Sequence, residues 1–182
     1  MIGESAGSIA APLYAGILSD RLPDARITVV GDASGSYQDV PRINALFAAW
    51  GISSAIPAWP ENAAPTDKQW SPSRFVIQSA RHDAEIVFAG HDHASDDVPE
   101  RFVELLGIPA KKLLSRIHAN EQQIERAGVN LLSYAGPGEE HNVFSDGPFY
   151  TETVKGETLV DCDQRNRRQT GRRRALPKCR VG

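Results

Sequence analysis

The distribution of apolar residues along the chain predicts three buried β-strands. Each is a short run rich in β-branched residues and is followed by glycine or polar residues, a pattern typical of strands inside a sheet. The three runs are residues 26–31, 85–90 and 129–134.

Between these runs the pattern changes to the period of an amphipathic helix. Apolar residues recur at spacings of three and four, so that they share one face of a helix. This spacing predicts helices at residues 40–50, 98–106 and 110–127, and an alanine-rich apolar run predicts another at residues 8–18. Strands that alternate with helices predict an α/β fold, a mostly parallel sheet flanked by helices on both faces.

Three further segments have weaker patterns. Residues 52–73 contain four prolines and two tryptophans, and we expect an irregular loop or cap on the substrate side whose indole rings are pinned to the core. Residues 75–80 fit a strand or a short helix, and a helix start at Ser71 or Ser73 favours the helix. Residues 149–160 predict a small hairpin.

Composition divides the chain into an acidic body and a basic tail. The 182 residues are 41% hydrophobic and 24% charged, as in one ordinary globular domain, and no apolar run reaches the roughly 18 residues of a transmembrane helix. Residues 161–182 carry eight basic and two acidic side chains, whereas residues 1–160 carry 12 basic and 21 acidic ones. Both cysteines lie in the tail, so the body holds no disulfide. We expect a disordered tail, and a body that binds neither nucleic acid nor membranes.

A short motif lies at the start of the body. It is Gly3-Glu4-Ser5-Ala6-Gly7, which matches the pattern G-x-S-x-G. In α/β-hydrolases this pattern forms the nucleophile elbow, a sharp turn from strand to helix that exposes a serine hydroxyl. Small residues suit both flanks because the turn strains the serine backbone and brings neighbouring main chain close. The motif alone is weak evidence, but two later strand ends support it.

Those strand ends carry the groups that would activate Ser5. An acid among Asp92, Asp96 and Asp97 follows the second predicted strand. His141 lies in the loop after the third, and no other histidine follows that strand. A serine hydroxyl needs a base to take its proton, and the base needs a carboxylate to orient it. The chain order serine, acid, histidine is that of the α/β-hydrolases.

Five stretches of the chain resemble the pectinacetylesterase family of α/β-hydrolases, which includes the Notum-type carboxylesterases. They are G-E-S-A-G-S at 3–8, V-V-G-D-A-S at 29–34, F-A-G-H-D-H-A-S-D-D-V at 88–98, A-G-P-G-E-E-H-N-V at 135–143 and F-Y-T-E-T-V-K-G at 149–156. In that family the acid follows its strand by a fixed few residues, which selects Asp96. The family histidine falls in a P-G-x-x-H loop, which selects His141.

The resemblance implies a serine carboxylic-ester hydrolase with Ser5, Asp96 and His141 as its catalytic triad. The backbone N–H of Ala6 would contribute to the oxyanion hole, and no metal or cofactor would be needed. The substrate would be an acylated carbohydrate, above all an acetylated one, or another small ester. Members of the family are commonly exported, and the sequence does not indicate the compartment of this chain.

The resemblance also implies that the chain is the C-terminal part of a larger hydrolase domain. Family members have strands before the elbow and a glycine-rich loop that supplies a second oxyanion donor, and neither precedes Gly3 in this sequence. After Asp161 arginine-rich sequence replaces the family's final helix. We therefore expect a partial α/β-hydrolase fold over residues 1–160. Loss of one oxyanion donor costs on the order of 3 kcal/mol of transition-state stabilisation, which could leave this chain inactive.

Gly90-His91-Asp92-His93 supports a different hypothesis. It resembles the G-H-x-H element of metallophosphoesterases, and two imidazoles two residues apart could hold a divalent metal. The D-x-H and G-N-H-[DE] elements of that class are missing from the sequence. In the hydrolase hypothesis His91 and His93 line the substrate pocket, as does Asp32 more weakly, for which a turn or cap role is equally open.

A non-enzymatic hypothesis rests on the basic tail. Its arginines, which run from Arg165 to Arg174, could bind the phosphates of a nucleic acid. No aromatic residues are interleaved with them, so a solvated, disordered tail is the better interpretation.

Overall fold

The computed structural model describes residues 1–63, 69–108, 112–144, 148–158, 161 and 179–180. Within these ranges the protein is of the mixed α/β class. The strands are β1 (Ile2–Glu4), β2 (Thr28–Asp32), β3 (Val87–His93), β4 (Leu131–Gly136), β5 (Thr153–Val154), β6 (Glu157–Thr158) and β7 (Cys179–Arg180). The helices are α1 (Ala6–Arg21), α2 (Pro41–Ala49), α3 (Pro72–His82), α4 (Asp97–Leu105), α5 (Leu113–Arg126) and the single turn α6 (Pro148–Thr151). Two 3₁₀ turns lie at Ile52–Ala55 and Pro60–Asn62.

The main sheet is parallel throughout. Its strand order is β1-β2-β3-β4-β7, and every neighbouring pair is parallel. Because parallel strands run in one direction, the loops that follow β1, β3 and β4 meet at one edge of the sheet. This edge carries the candidate site. The hairpin of β5 and β6 forms a separate antiparallel pair.

Three long helices cover one face of the sheet. Side chains of α1, α3 and α5 pack in a single core cluster with Val29 of β2 and Phe88 of β3. The helical members of this cluster are Ala11, Ala15, Ile77 and Ile124. A second cluster, without strand residues, joins α2 and α4 to the outer sides of α1 and α3. Among the described helices, none combines the length and the apolar character needed to cross a membrane.

The opposite face is covered differently. Side chains alternate along a strand, so His91 and Tyr134 lie on the face opposite Phe88. There Tyr134 packs in a small cluster with Val143 and Val154, against which Phe149 of α6 also packs. The prediction of helices on both faces is therefore wrong for the described residues, except for the single turn α6. A loop and a hairpin lie where a longer helix was expected.

Local sequence explains where the predicted helix of residues 75–80 begins. The Ser71 side chain accepts a hydrogen bond from the Arg74 N–H, and Pro72, which has no N–H to lose, occupies the first helical turn. The helix that was favoured over a strand is thus confirmed as part of α3. The helices predicted at 40–50 and 98–106 are also confirmed, as α2 and α4, and the one at 110–127 as α5 over the described part of that range.

Each of the three predicted strands is present, displaced toward its carboxyl end. β2, β3 and β4 all begin two residues later than the apolar pattern indicated. At the carboxyl ends of β2 and β3, buried polar residues continue the strands: Asp32, His91 and His93 are 0%, 1% and 2% exposed. Each of these side chains makes at least one hydrogen bond within the protein, so it remains in the sheet although it is not apolar.

The remaining predictions have mixed outcomes. Trp59 and Trp70 are buried in the cluster around α2, so the prediction that they are pinned to the core is confirmed. The hairpin predicted at 149–160 is limited to β5 and β6, and residues 148–151 are a helical turn. In the tail, Cys179–Arg180 form β7 beside β4, and the other predictions for residues 162–182 fall outside the described residues.

Candidate functional site

The candidate site begins at the turn between β1 and α1. Ser5 has φ 50° and ψ −120°, a strained conformation for a residue with a side chain. Its N–H donates to the Asp32 carbonyl over 2.9 Å, and its own carbonyl accepts from the Ser8 N–H over 3.0 Å. These bonds hold the backbone where the dihedral angles alone would disfavour it. The turn therefore has the strand-to-helix form that G-x-S-x-G predicted.

The two glycines of the motif are not equivalent. A Cβ on Gly3 would collide with the carbonyl of Gly7, so the turn requires glycine at the first position. Among the described residues, a Cβ on Gly7 would lie within 4 Å of no atom outside its chain neighbours and the backbone of its own helix. The expectation that close main chain requires small residues on both flanks is thus correct for Gly3 and wrong for Gly7, as far as the described residues reach.

Ser5, His141 and Asp96 form one hydrogen-bonded chain. His141 Nε2 lies 2.8 Å from Ser5 Oγ, and His141 Nδ1 lies 2.7 Å from Asp96 Oδ2. The Asp96 side chain is 2% exposed, whereas that of His141 is 21% exposed. The carboxylate is therefore shielded from water while the imidazole reaches the surface beside the hydroxyl. The structure brings together the three residues that the sequence selected.

The acid of this chain is held by the helix that it begins. Asp96 is the N-cap of α4, and its Oδ1 accepts a hydrogen bond from the Val98 N–H over 2.9 Å. The other oxygen is left for His141. The alternative acids do not face His141. Asp92 accepts the Gly35 N–H over 2.8 Å, and Asp97 pairs with Arg101 one helical turn along α4.

Ala6, the predicted oxyanion donor, is the first residue of α1. The N–H groups in the first turn of a helix have no carbonyl four residues earlier to bond, and they lie at the positive end of the helix dipole. Ala6 is also exposed. Its N–H therefore lies directly after the serine, where negative charge on an attacked carbonyl oxygen would develop.

A second histidine–carboxylate pair lies beneath the first. His91 Nδ1 is 2.7 Å from Asp32 Oδ1, and the two side chains are 2% and 0% exposed. The His91 ring also stacks on Tyr134, with ring centroids 5.6 Å apart. The prediction that Asp32, His91 and His93 line the substrate pocket is wrong, because their side chains are enclosed and bonded to other parts of the chain.

The buried pair and His93 together hold the loop that carries His141. His93 Nδ1 lies 2.6 Å from the Glu140 carbonyl oxygen, just before His141. Asp32 Oδ2 accepts the Val143 N–H over 2.7 Å, just after it. The loop is thus fastened on both sides of the histidine. Asp32, His91 and His93 support the candidate site from below.

Glu152 completes the buried group, and sequence reasoning missed it. Its Oε2 lies 2.5 Å from His93 Nε2, and its Oε1 lies 4.0 Å from His91 Nε2. Glu152 follows α6 and precedes β5, 59 residues after His93. The only signal in the sequence was an acid inside the F-Y-T-E-T-V-K-G stretch at 149–156.

Electrostatics within this group follow from burial and charge. Burial alone would lower the pKa of His91, but the carboxylates of Asp32 and Glu152 outweigh it and raise the pKa to about 9. For His93 the same competition, between burial and the Glu152 carboxylate, also raises the pKa. Burial would raise the pKa of Glu152, and the two histidines instead lower it to about 2.

The Asp92 side chain does not lie with those of His91 and His93, its neighbours in the Gly90-His91-Asp92-His93 motif. Because side chains alternate along β3, it lies on the helix-covered face, opposite both histidines. Burial raises the pKa of Asp92 to about 7, against the opposing effects of the Gly35 N–H and of His91. The two histidines of the motif therefore lie together on one face of the sheet, and Asp92 is not part of their group.

Comparison of the chain with protein-family models, with curated proteins and with solved structures returned no match.

Proposed function

We propose that the protein is a serine carboxylic-ester hydrolase. The observation that carries the proposal is the hydrogen-bonded chain of Ser5, His141 and Asp96 at the carboxyl edge of a parallel sheet. Two further features support it: the strained dihedral angles of Ser5 and the position of Ala6 at the first residue of α1. In this proposal the fold over residues 1–160 is part of an α/β-hydrolase domain.

The reaction is acyl transfer in two halves. Ser5 Oγ attacks the carbonyl carbon of the ester while His141 Nε2 takes the hydroxyl proton, and the Ala6 N–H stabilises the oxyanion. When the tetrahedral intermediate collapses, His141 gives that proton to the leaving alcohol and the acyl-enzyme forms. Water, activated by the same nitrogen, then attacks the acyl-enzyme and releases the carboxylic acid and Ser5.

Asp96 has a separate part in this cycle. Its carboxylate accepts a hydrogen bond from the His141 Nδ1–H, which keeps the ring proton on Nδ1 and leaves Nε2 unprotonated and directed at Ser5. The negative charge also stabilises the imidazolium that forms after proton transfer. Because the Val98 N–H holds the other carboxylate oxygen, the side chain is kept in a single orientation.

The resemblance to pectinacetylesterases suggests the substrate. It points to acetyl esters of carbohydrates, or another small ester, as the compounds to assay first. The steps above use protein groups and water alone, in line with the expectation that no cofactor takes part.

The two other hypotheses have less support. A phosphoesterase centre at His91 and His93 would need access for a phosphate ester, and both side chains are buried. The arginines of the proposed nucleic-acid-binding tail lie among the residues that are not described.

The test is labelling with a fluorophosphonate probe together with hydrolysis of p-nitrophenyl acetate. We expect the wild type to be labelled, and Ser5→Ala to lose both labelling and hydrolysis. Ser54→Ala is the matched control, because the Ser54 hydroxyl is exposed and donates to the Gly51 carbonyl of its own turn. Labelling of Ser5→Ala at the wild-type level would overturn the proposal.

A further inference from the structure

The buried group beneath the triad has two polar atoms without hydrogen bonds. Among the described residues, His91 Nε2 and Glu152 Oε1 are buried and have no hydrogen-bond partner. They face each other across 4.0 Å, which is too long for a hydrogen bond. A buried polar atom left without a partner costs about 1–3 kcal/mol. This arrangement would be costly unless something else bonds both atoms.

The other nitrogen of each histidine is already engaged. His91 Nδ1 faces the Asp32 carboxylate over 2.7 Å, and His93 Nδ1 faces the Glu140 carbonyl over 2.6 Å. A carboxylate or carbonyl acceptor fixes a ring proton on Nδ1, so Nε2 is the nitrogen of each ring that can bind a metal. Histidines that bind metals in proteins are oriented by such partners, a carboxylate or a backbone carbonyl on the far nitrogen.

Both Nε2 atoms face the same carboxylate, that of Glu152. One ligand atom from each of His91, His93 and Glu152 can be chosen so that all three lie within 4.8 Å of one another. Zn²⁺ binds histidine nitrogen and carboxylate oxygen at about 2.0–2.2 Å, so ligand atoms around one ion lie about 3.4 Å apart at tetrahedral angles. Small movements of these side chains therefore bring the three atoms to one ion.

The backbone around the group is shaped to fit it. A Cβ on Gly136 would collide with the Glu152 carboxylate, and a Cβ on Gly138 would lie 2.7 Å from His93 Nε2. Glycine at both positions leaves room for the side chains that converge there. The neighbouring Gly90, by contrast, has no described atom within 4 Å of such a Cβ.

We propose that His91, His93 and Glu152 bind one divalent transition-metal ion, with Zn²⁺ as the best fit to two imidazoles and a carboxylate. The second Glu152 oxygen or a water completes four-coordination. Such an ion joins β3 to the segment between α6 and β5, and through His93 and Asp32 it steadies the loop that carries His141. The site is structural and does not depend on the proposed hydrolysis.

The test is direct metal binding. The full chain, carrying Cys162→Ser and Cys179→Ser so that tail thiolates do not compete, is stripped with EDTA and titrated with Zn²⁺ against a fluorescent chelator. We expect one equivalent to bind. His93→Gln and Glu152→Gln should each weaken binding at least tenfold, and Zn²⁺ should raise the melting temperature of the parent but of neither variant.

His82→Gln is the control, because His82 also contacts two carboxylates, those of Asp20 and Glu61, nearer the surface. It should leave Zn²⁺ affinity unchanged. If the two cluster variants do not fold, the Co²⁺ spectrum of the parent decides. Strong visible bands typical of four-coordinate Co²⁺ support the site, and the weak spectrum of six-coordinate Co²⁺ overturns it. Equal Zn²⁺ affinity in the parent and in Glu152→Gln would also overturn it.

Discussion

Two histidine–aspartate pairs of the described residues are joined through Nδ1 with the same geometry, but they lie in different settings. His141 with Asp96 and His91 with Asp32 each have an Nδ1-to-carboxylate distance of 2.7 Å. They differ in what faces Nε2 and in burial. His141 Nε2 meets a serine hydroxyl and its side chain is 21% exposed, whereas His91 Nε2 meets a carboxylate and its side chain is 2% exposed.

The comparison teaches that the pair by itself does not define a function. The aspartate fixes the tautomer and orientation of the ring in both settings. The group in front of Nε2, and access for a substrate, then determine the chemistry. With a strained serine at the sheet edge the pair suits proton transfer, and with a second imidazole and a glutamate in the interior it suits structural support or a metal.

The largest expected effect separates the two histidines by activity. His141→Gln removes the proposed base, so we expect ester hydrolysis to fall about 10⁴- to 10⁶-fold, with little change in melting temperature because the side chain reaches the surface. The measurements are steady-state kinetics and thermal unfolding. His82→Gln, the histidine–carboxylate control, should keep full activity. If His141→Gln and His82→Gln both lost activity, the loss could not be attributed to removal of the proposed base.

Asp96→Asn tests the aspartate of the exposed pair. An amide can still cap α4 with its oxygen, but its NH₂ group then faces His141 Nδ1 and favours the wrong tautomer. We expect kcat to fall about 10⁴-fold while KM and stability change little. The check is a kinetic comparison with the wild type at matched folded fraction. A fall of less than tenfold would show that Asp96 does not orient the base.

Asp32→Asn makes the same chemical change in the buried pair, and there we expect the loss in stability. The amide cannot accept from both the His91 ring and the Val143 N–H, so one buried group loses its partner. Breaking a buried pair costs about 3–5 kcal/mol. Urea unfolding measures this cost. If Asp32→Asn were as stable as Asp96→Asn, the buried pair would not have the structural role that we assign to it.

A smaller effect comes from the backbone around the buried group. Gly136→Ala places a methyl group against Glu152 and the His93 ring, and we expect a loss of about 1–3 kcal/mol of stability. Gly90→Ala is the matched control on the adjacent strand, where a Cβ meets no described atom within 4 Å. Equal melting temperatures for the two variants would contradict the close packing of the group.

The sequence was sufficient to predict the exposed pair and insufficient for the buried one. The order of strands predicted that Ser5, His141 and one of three acids would lie at one edge, and the resemblance to the pectinacetylesterase family selected Asp96 among those acids. The role of Glu152 depends on where the chain returns after β4, and no local pattern encodes that return. For the same reason His91 and His93 were assigned to a pocket, since spacing along a strand gives the face of a side chain but not what covers it.

The carboxylate of Asp32 is shared, with one oxygen on the His91 ring and the other on the amide of Val143, two residues beyond His141. That amide proton can exchange with solvent only when the loop lifts away from Asp32. Its exchange rate therefore reports how often the base leaves its position, in resting protein and without any substrate. The exchange rate of this one backbone amide, measured by NMR or mass spectrometry, therefore shows how well the loop that carries His141 is held in place.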